Sequence, residues 1–311
     1  HGSHYGAGGE NIDTRTGNLN FTLPLLGPKG RNGTGVSVGL SYNSQMWRRD
    51  GSQVWKLGKD TGYGLGWRMM IGSITPYWQD YYTIHHYVFT DSTGAEYRLD
   101  ANTNNNWTSK DGFYGTYEAY GNRLKFPDGS SWNMAYASAG TEADAGTRFP
   151  WEIADSNGNT TYVTYLQGNG APWLQSSSRI GFIEDTRAVN QGFGRTYQFN
   201  WTGAAGSEHL WYITSLINDG ASYNFYFSAS QTINSPFSPS TSHGTAQLLN
   251  SVLALPTGLT TSFEYGPNGT AELTKVILPY GGDLRWQYRD FTYTGSRTLR
   301  EVQTRSVTHS T

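Results

Sequence analysis

The sequence predicts an all-β protein: a long, twisted, mainly antiparallel sheet built from degenerate β-hairpin repeats. Three observations predict it. Glycine is abundant, at 39 of 311 residues, and aromatic residues make up 15% of the chain. Glycine-bearing turns are followed, a few residues on, by Tyr, Trp or Phe, as in Asp91-Ser92-Thr93-Gly94 before Tyr97 and Pro127-Asp128-Gly129 before Trp132. Where apolar runs are clear they alternate with polar residues, the period of a strand with one buried face. Glycine and asparagine supply the positive φ angles of tight hairpin turns, and aromatic side chains suit a pleated, half-buried surface.

Taken in order, residues 1–10 read as a glycine-rich lead-in; His1-Gly2-Ser3-His4 fits an expression-tag remnant. Residues 11–80 form an opening segment. In Asn18 to Leu25 the residues Leu19, Phe21, Leu23 and Leu25 alternate with polar ones, which predicts a strand, and Pro24 predicts an edge or an end there. After the loop Gly27 to Gly35, Val36, Val38, Leu40 and Tyr42 alternate again and predict the return strand. That loop lacks a Gly-Lys-Ser/Thr ending, so a plain loop is expected and not a phosphate cradle. In Gly62-Tyr63-Gly64-Leu65-Gly66-Trp67-Arg68 the spaced glycines predict a sharp bend, with Trp67 plugging a core and Arg68 satisfying a carbonyl or carboxylate. Residues 81–311 continue as degenerate hairpins, with further turns at Asp155 to Gly158, Asn218 to Gly220, Pro256 to Gly258 and Gly281-Gly282. The clearest stretch is Leu259 to Tyr293, read as strand, turn, strand, turn, strand. Ala101 to Gly112, Ser138 to Gly146 and Ser228 to Gly244 read as insertions or surface loops. Short helical turns are expected near Glu142 to Ala145 or Thr186 to Gln191. Arg297 to Thr311 begins another strand, and the chain reads as a piece of a longer protein.

Composition narrows the function classes. Net charge is about −2, which gives no electrostatic footprint for nucleic acid. With no cysteine there are no disulfides, zinc–thiolate sites or cysteine nucleophiles. No apolar run is long enough for a helical membrane span, and no signal peptide is visible in the sequence as given.

Three places resemble the Rhs/YD-repeat family. The stretch Thr16-Gly17-Asn18-Leu19-Asn20-Phe21-Thr22-Leu23-Pro24-Leu25, running on to Leu40-Ser41-Tyr42-Asn43-Ser44, is similar to the start of the shell in these proteins and in toxin-complex and SpvB-type proteins. Gly64-Leu65-Gly66-Trp67-Arg68 resembles the glycine–tryptophan motif that follows it. The Asp-x-x-Gly and Pro-x-Gly-Gly turns with aromatics after them, such as Asp155-Ser156-Asn157-Gly158-Asn159-Thr160-Thr161-Tyr162, resemble the repeats themselves. The likeness runs from about Asn11 to Arg305. It departs from the family where Tyr265-Gly266-Pro267-Asn268-Gly269 keeps the Tyr of the repeat and lacks its Asp, and where no self-cleaving aspartate motif or toxin domain follows. The resemblance implies part of a β-sheet shell, secreted or displayed by a bacterium, with the remaining C-terminal shell as its partner. An exposed apolar face and a long sheet edge would also favour self-association.

No catalytic constellation stands out. Asp and Glu total 24, and Asp91, Asp128, Asp155 and Asp219 sit where turns need them. A glycosidase requires two carboxylates facing each other across the bond it cleaves, and Glu96, Glu118, Glu152, Glu184, Glu264 and Glu272 show no such pairing in sequence. Asp155 to Asn159 alternates oxygen ligands, yet its glycine stands one position early for a calcium loop, so a hairpin turn is expected. His85 and His86 are adjacent and expected on opposite strand faces. No metal site and no cofactor are expected. Trp107, Trp151, Trp173, Trp201 and Trp211 lie near loops or strand ends, and exposed rings there would stack on sugars; the competing expectation is that they fill the sheet faces. The functional expectation is a non-catalytic structural and interaction module with surface glycans among its ligands. The alternatives are a carbohydrate-binding module or a secreted polysaccharide-active enzyme, either hydrolytic or copper-dependent through His1.

Overall fold

A computed structural model describes residues 3–6, 8–13, 17–27, 36–49, 55–58, 60–69, 71–110, 112–185, 197–202, 213–218, 221–294 and 297–308. Among them the architecture is all-β, antiparallel and open, with no α-helix. Among the described residues no helix is long and apolar enough to cross a membrane.

The chain begins with a five-stranded sheet ordered Ser3–Tyr5, Glu10–Asp13, Asn18–Leu26, Val38–Asn43 and Trp67–Met69. The predicted alternation appears directly: Leu19, Phe21, Val38, Leu40 and Tyr42 are buried. Pro24 is exposed, beside a bulge in the pairing with Val38–Asn43. On the other side the neighbouring strand pairs only as far as Phe21. Pro24 therefore lies where this otherwise internal strand is locally an edge, and its missing N–H costs no ladder bond.

A second five-stranded sheet is ordered Glu96–Leu99, Ile84–Asp91, Gly72–Trp78, Arg148–Phe149 and Tyr136–Ala137. The largest sheet has sixteen strands that follow one another in chain order, from Ala101–Thr103 to Arg297–Thr308. The Leu259 to Tyr293 stretch falls into Leu259–Tyr265, Leu273–Ile277 and Asp283–Tyr293, as expected.

Two expected loops are strands. Ala101 to Gly112 contains the hairpin Ala101–Thr103 with Asn106–Thr108, because Asn104 and Asn105 both adopt positive φ and close a tight turn. Ser228 to Gly244 contains most of a two-stranded ribbon, Gln231–Ser235 with Ser238–Ala246, anchored by the fully buried Ile233. Its Ser/Thr composition signals exposure; one apolar anchor suffices to fix it. Ser138 to Gly146 is a turn-rich loop, and near Glu142 to Ala145 it makes isolated turns and no helix. Thr186 to Gln191 lies outside the described residues, as do His1, most of the Gly27 to Gly35 loop, and Asp219-Gly220.

The main core forms where the opening sheet packs on the later half of the long sheet. Trp67 is 1% exposed and sits against Tyr42, Phe21 and Phe263 at ring-centroid separations of 5.2, 6.1 and 4.6 Å. Its Nε1 donates to Tyr265 Oη at 2.8 Å, and Tyr265 Oη donates to Leu249 O at 2.7 Å. Leu273 N donates to Tyr42 Oη at 2.9 Å. Trp67 Nε1 and Tyr42 Oη thus find partners across the layers, and Tyr265 Oη one within the long sheet. Arg68, by contrast, points to solvent, as strand alternation from Trp67 requires.

The bend before Trp67 is held by a buried carboxylate. Asp60 Oδ1 accepts from Gly62 N at 2.7 Å and Gly64 N at 3.1 Å. Gly66 has φ +82°, and a Cβ there would stand 2.6 Å from the Tyr42 ring. Nearby, Arg179 and Glu142 form a bidentate pair, NH1 to Oε2 at 3.1 Å and NH2 to Oε1 at 2.6 Å, with side chains 0% and 2% exposed.

Candidate interaction sites

A second, smaller core joins the second sheet to the start of the long one: Ile74, Tyr87 and Phe89 pack with Leu99, Trp107, Tyr117, Leu124 and Met134. The hairpin Gly72–Trp78 with Ile84–Asp91 runs beyond this core, and its tip is aromatic. Trp78 is 57% exposed, Tyr81 86% and Tyr82 87%. The tip is well organised. Gln79 N donates to Thr83 O at 2.8 Å, and Asp80 Oδ1 accepts from Tyr82 N at 2.9 Å and Thr83 N at 2.8 Å. These donors hold the Asp80 carboxyl below its ordinary pKa. Tyr77, cross-strand from His86, stacks on it at 4.7 Å and 5°, while Tyr81 and Tyr82 meet edge-on at 4.9 Å.

The sites on the facing layer follow from two contacts. Phe89 lies 4.7 Å from Phe113, and Tyr87 lies 4.9 Å from Tyr117. Moving along the hairpin from Phe89 to its tip therefore matches moving from Phe113 past Tyr117. Tyr120, in the turn that follows Tyr117, is 96% exposed. From Pro76 to Tyr87 the only charged side chain besides the histidines is Asp80.

His85 and His86, expected on opposite faces, instead bring their Nδ1 atoms within 2.8 Å. Partial burial, then Arg98 and His85, lowers the His86 pKa. Among the described residues no group of three or more His, Asp or Glu side chains is placed to hold a metal.

Of the five tryptophans singled out by sequence, the four that are described do not form one surface. Trp107 is buried in the second core, edge-on to Tyr87 at 5.2 Å. Trp151 is half-buried and stacked on Tyr162 at 5.7 Å. Trp201 is half-buried, donates to Ile180 O at 2.9 Å and meets Tyr63 edge-on. Trp173 is exposed beside the exposed Leu174. Trp211 lies outside the described residues. The exposed cluster at Tyr77 to Tyr82 was legible only as density: four aromatics around Gln79-Asp80 with no aliphatic residue among them.

The other sequence candidates take structural roles. Asp155 Oδ1 accepts from Asn157 N and Asn159 N at 2.9 and 2.8 Å, closing a hairpin turn around Gly158 at φ +81°. Glu118 pairs with Lys125, Glu264 with Lys275, and Glu272 with Arg300.

No protein-family model and no curated protein matches the chain. Solved structures do resemble it. The crystal structure of TcdB2-TccC3-Cdc42 matches 89% of this chain at 12% identity and a TM-score of 0.43. The N-terminal domain of effector protein SpvB from Salmonella typhimurium strain LT2 matches 94% of this chain and 99% of its own length, at 12% identity and a TM-score of 0.33. The Photorhabdus luminescens Tc holotoxin pore matches 94% of this chain at 10% identity and a TM-score of 0.43. The chain spans 16% of the first of these and 19% of the last.

Proposed function

We propose that the chain is a non-catalytic structural and interaction module, a segment of an exported bacterial β-shell of the Rhs/YD-repeat type. The observation that supports this reading is the strand order. Sixteen antiparallel strands keep their chain order across one sheet, broken only by two excursions, one into the second sheet at Tyr136–Ala137 and Arg148–Phe149 and one into the ribbon Gln231–Ser235 with Ser238–Ala246, and their later half covers the chain's own opening sheet. A meander of this kind extends by adding hairpins. Among the described residues its outer strand, Arg297–Thr308, gives one N–H to Gly17, from Val302 at 2.9 Å, and otherwise offers an edge on which another strand can form. In this reading the partner is further sheet of the same shell protein, and the isolated chain self-associates through that edge. Light scattering and amide exchange over a concentration series test it. Growth in mass with rising protection of Arg297–Thr308 is expected; a strict monomer with an unprotected edge strand at the highest concentration would overturn it.

A second reading is favoured by the hairpin tip: contact with neutral surface glycans through Trp78, Tyr81 and Tyr82. Aromatic faces stack on the apolar faces of sugar rings, and Gln79, Asp80 and the tyrosine hydroxyls supply hydrogen bonds. The absence of Lys and Arg from Pro76 to Tyr87 disfavours anionic lipid and acidic polysaccharide. Neutral polysaccharide retention should be lost in a Trp78→Ala, Tyr81→Ala, Tyr82→Ala triple variant whose unfolding midpoint is unchanged, since these side chains lie outside both cores. Retention that survives the triple substitution rules the tip out.

A further inference from the structure

At the other end of the second core, towards Asp91, the two layers flank a half-open cavity of about 510 Å³. Its walls are aromatic: Phe89 lies 4.7 Å from Phe113 and 6.0 Å from Trp132, and Phe126 lies 5.0 Å from Trp132. Gly72 makes room for this arrangement, because a Cβ there would stand 2.5 Å from the Trp132 ring. The volume is in the range of small-molecule sites, which pair an apolar body with a few fixed polar groups.

The polar groups are of one charge sign. Asp91 and Asp155 both line the cavity, and no basic side chain among the described residues does. Asp91 Oδ1 is engaged by Thr93 N, Thr93 Oγ1 and Ala95 N, and no described hydrogen bond uses its Oδ2. Asp155 is held ionised by the Asn159 side-chain amide, which donates to its Oδ2 at 2.7 Å. Two carboxylates on the lining of a cavity walled by aromatic rings make an environment for a cation: the carboxylates attract it directly and the rings through their quadrupoles.

We propose that this cavity binds an apolar primary amine, its flat or alkyl body among Phe89, Phe113, Phe126 and Trp132 and its ammonium against Asp91 and Asp155. The site is separate from the sheet edge and from the hairpin tip, so it stands or falls independently of the functions proposed above.

Tryptamine, neutral 3-methylindole and anionic indole-3-acetate, three probes of similar shape and different charge, test it by titration calorimetry with the full chain at pH 7. Tryptamine should bind, 3-methylindole about tenfold more weakly, and indole-3-acetate more weakly still. Asp91→Asn, which keeps the oxygen that closes the turn, should reduce tryptamine affinity about tenfold and leave 3-methylindole unchanged. Ile153→Trp, which enlarges the lining side chain on the sheet face shared with its cross-strand partner Trp132, should abolish binding of all three. Equal binding of the three probes, no tryptamine binding at millimolar concentration, or tryptamine binding unaffected by Asp91→Asn would each overturn the proposal.

Discussion

Asp60 should make the protein less stable as pH rises, opposite to the usual behaviour of a native carboxylate. Its Oδ1 accepts two backbone N–H groups, but its Oδ2 is buried with no hydrogen-bond partner among the described residues. The nearby cation, Arg179, is already paired with Glu142. Burial therefore dominates, and the pKa is pushed up from 3.8 to about 6. The difference, 6 − 3.8, is about 2.2 pH units, or about 3 kcal/mol at about 1.36 kcal/mol per unit. The sign follows from proton linkage. Between pH 3.8 and 6 the folded chain holds a proton that the unfolded chain releases, so stability falls as pH rises through that window and is flat above it. Other groups titrate in the same range, so the measurement is a difference between wild type and Asp60→Asn. Asparagine keeps the Oδ1 acceptor, and any fixed cost of its new N–H₂ cancels between pH values. Integrating the linkage relation from pH 4.5 to 7.5 gives a change of about 2 kcal/mol. In urea unfolding, the variant should gain about 2 kcal/mol on wild type between those two pH values. A variant-minus-wild-type stability difference that stays constant, or that falls as pH rises, would refute the account of an uncompensated buried carboxylate.

Three further outcomes follow from the core. Trp67→Ala should cost about 3–5 kcal/mol in urea unfolding, because a fully packed ring and its bond to Tyr265 Oη are lost together; Trp67→Phe should cost clearly less. Glu142→Gln should cost about 3–5 kcal/mol by leaving the Arg179 guanidinium buried without its counter-charge, and adding Arg179→Met should restore part of that loss. Gly66→Ala should cost at least about 2 kcal/mol, since the left-handed backbone and the Tyr42 ring both oppose a Cβ; a thermal midpoint within a degree or two of wild type would show that the loop relaxes freely.

The hairpins were readable because their information is local. Asp91, Asp128 and Asp155 each accept a backbone N–H two residues on, and Gly94, Gly129 and Gly158 each take the positive φ the turn needs. Trp67 was readable as a core residue because glycines crowd one side of it. The aromatic tip was not readable, since Tyr77, Trp78, Tyr81 and Tyr82 have the composition of buried strand residues. Their exposure arises because the hairpin outruns the layer it packs on. Trp107 shows the reverse: it lies near a turn in sequence, yet the facing strand places Tyr87 over it.

The sequence by itself determined the fold class, the positions of most turns and the alternation that gives each strand a buried face, because φ preference and period-two patterning act within a few residues. Only the tertiary structure decided which strands stack, and hence which aromatics are core and which are surface. It also decided that one oxygen of Asp60, Oδ2, would be buried without a hydrogen bond among the described residues, and that Phe89, Phe113, Phe126 and Trp132 would wall a cavity with two carboxylates. These properties depend on residues far apart in the chain meeting across two layers, and no local propensity encodes that meeting.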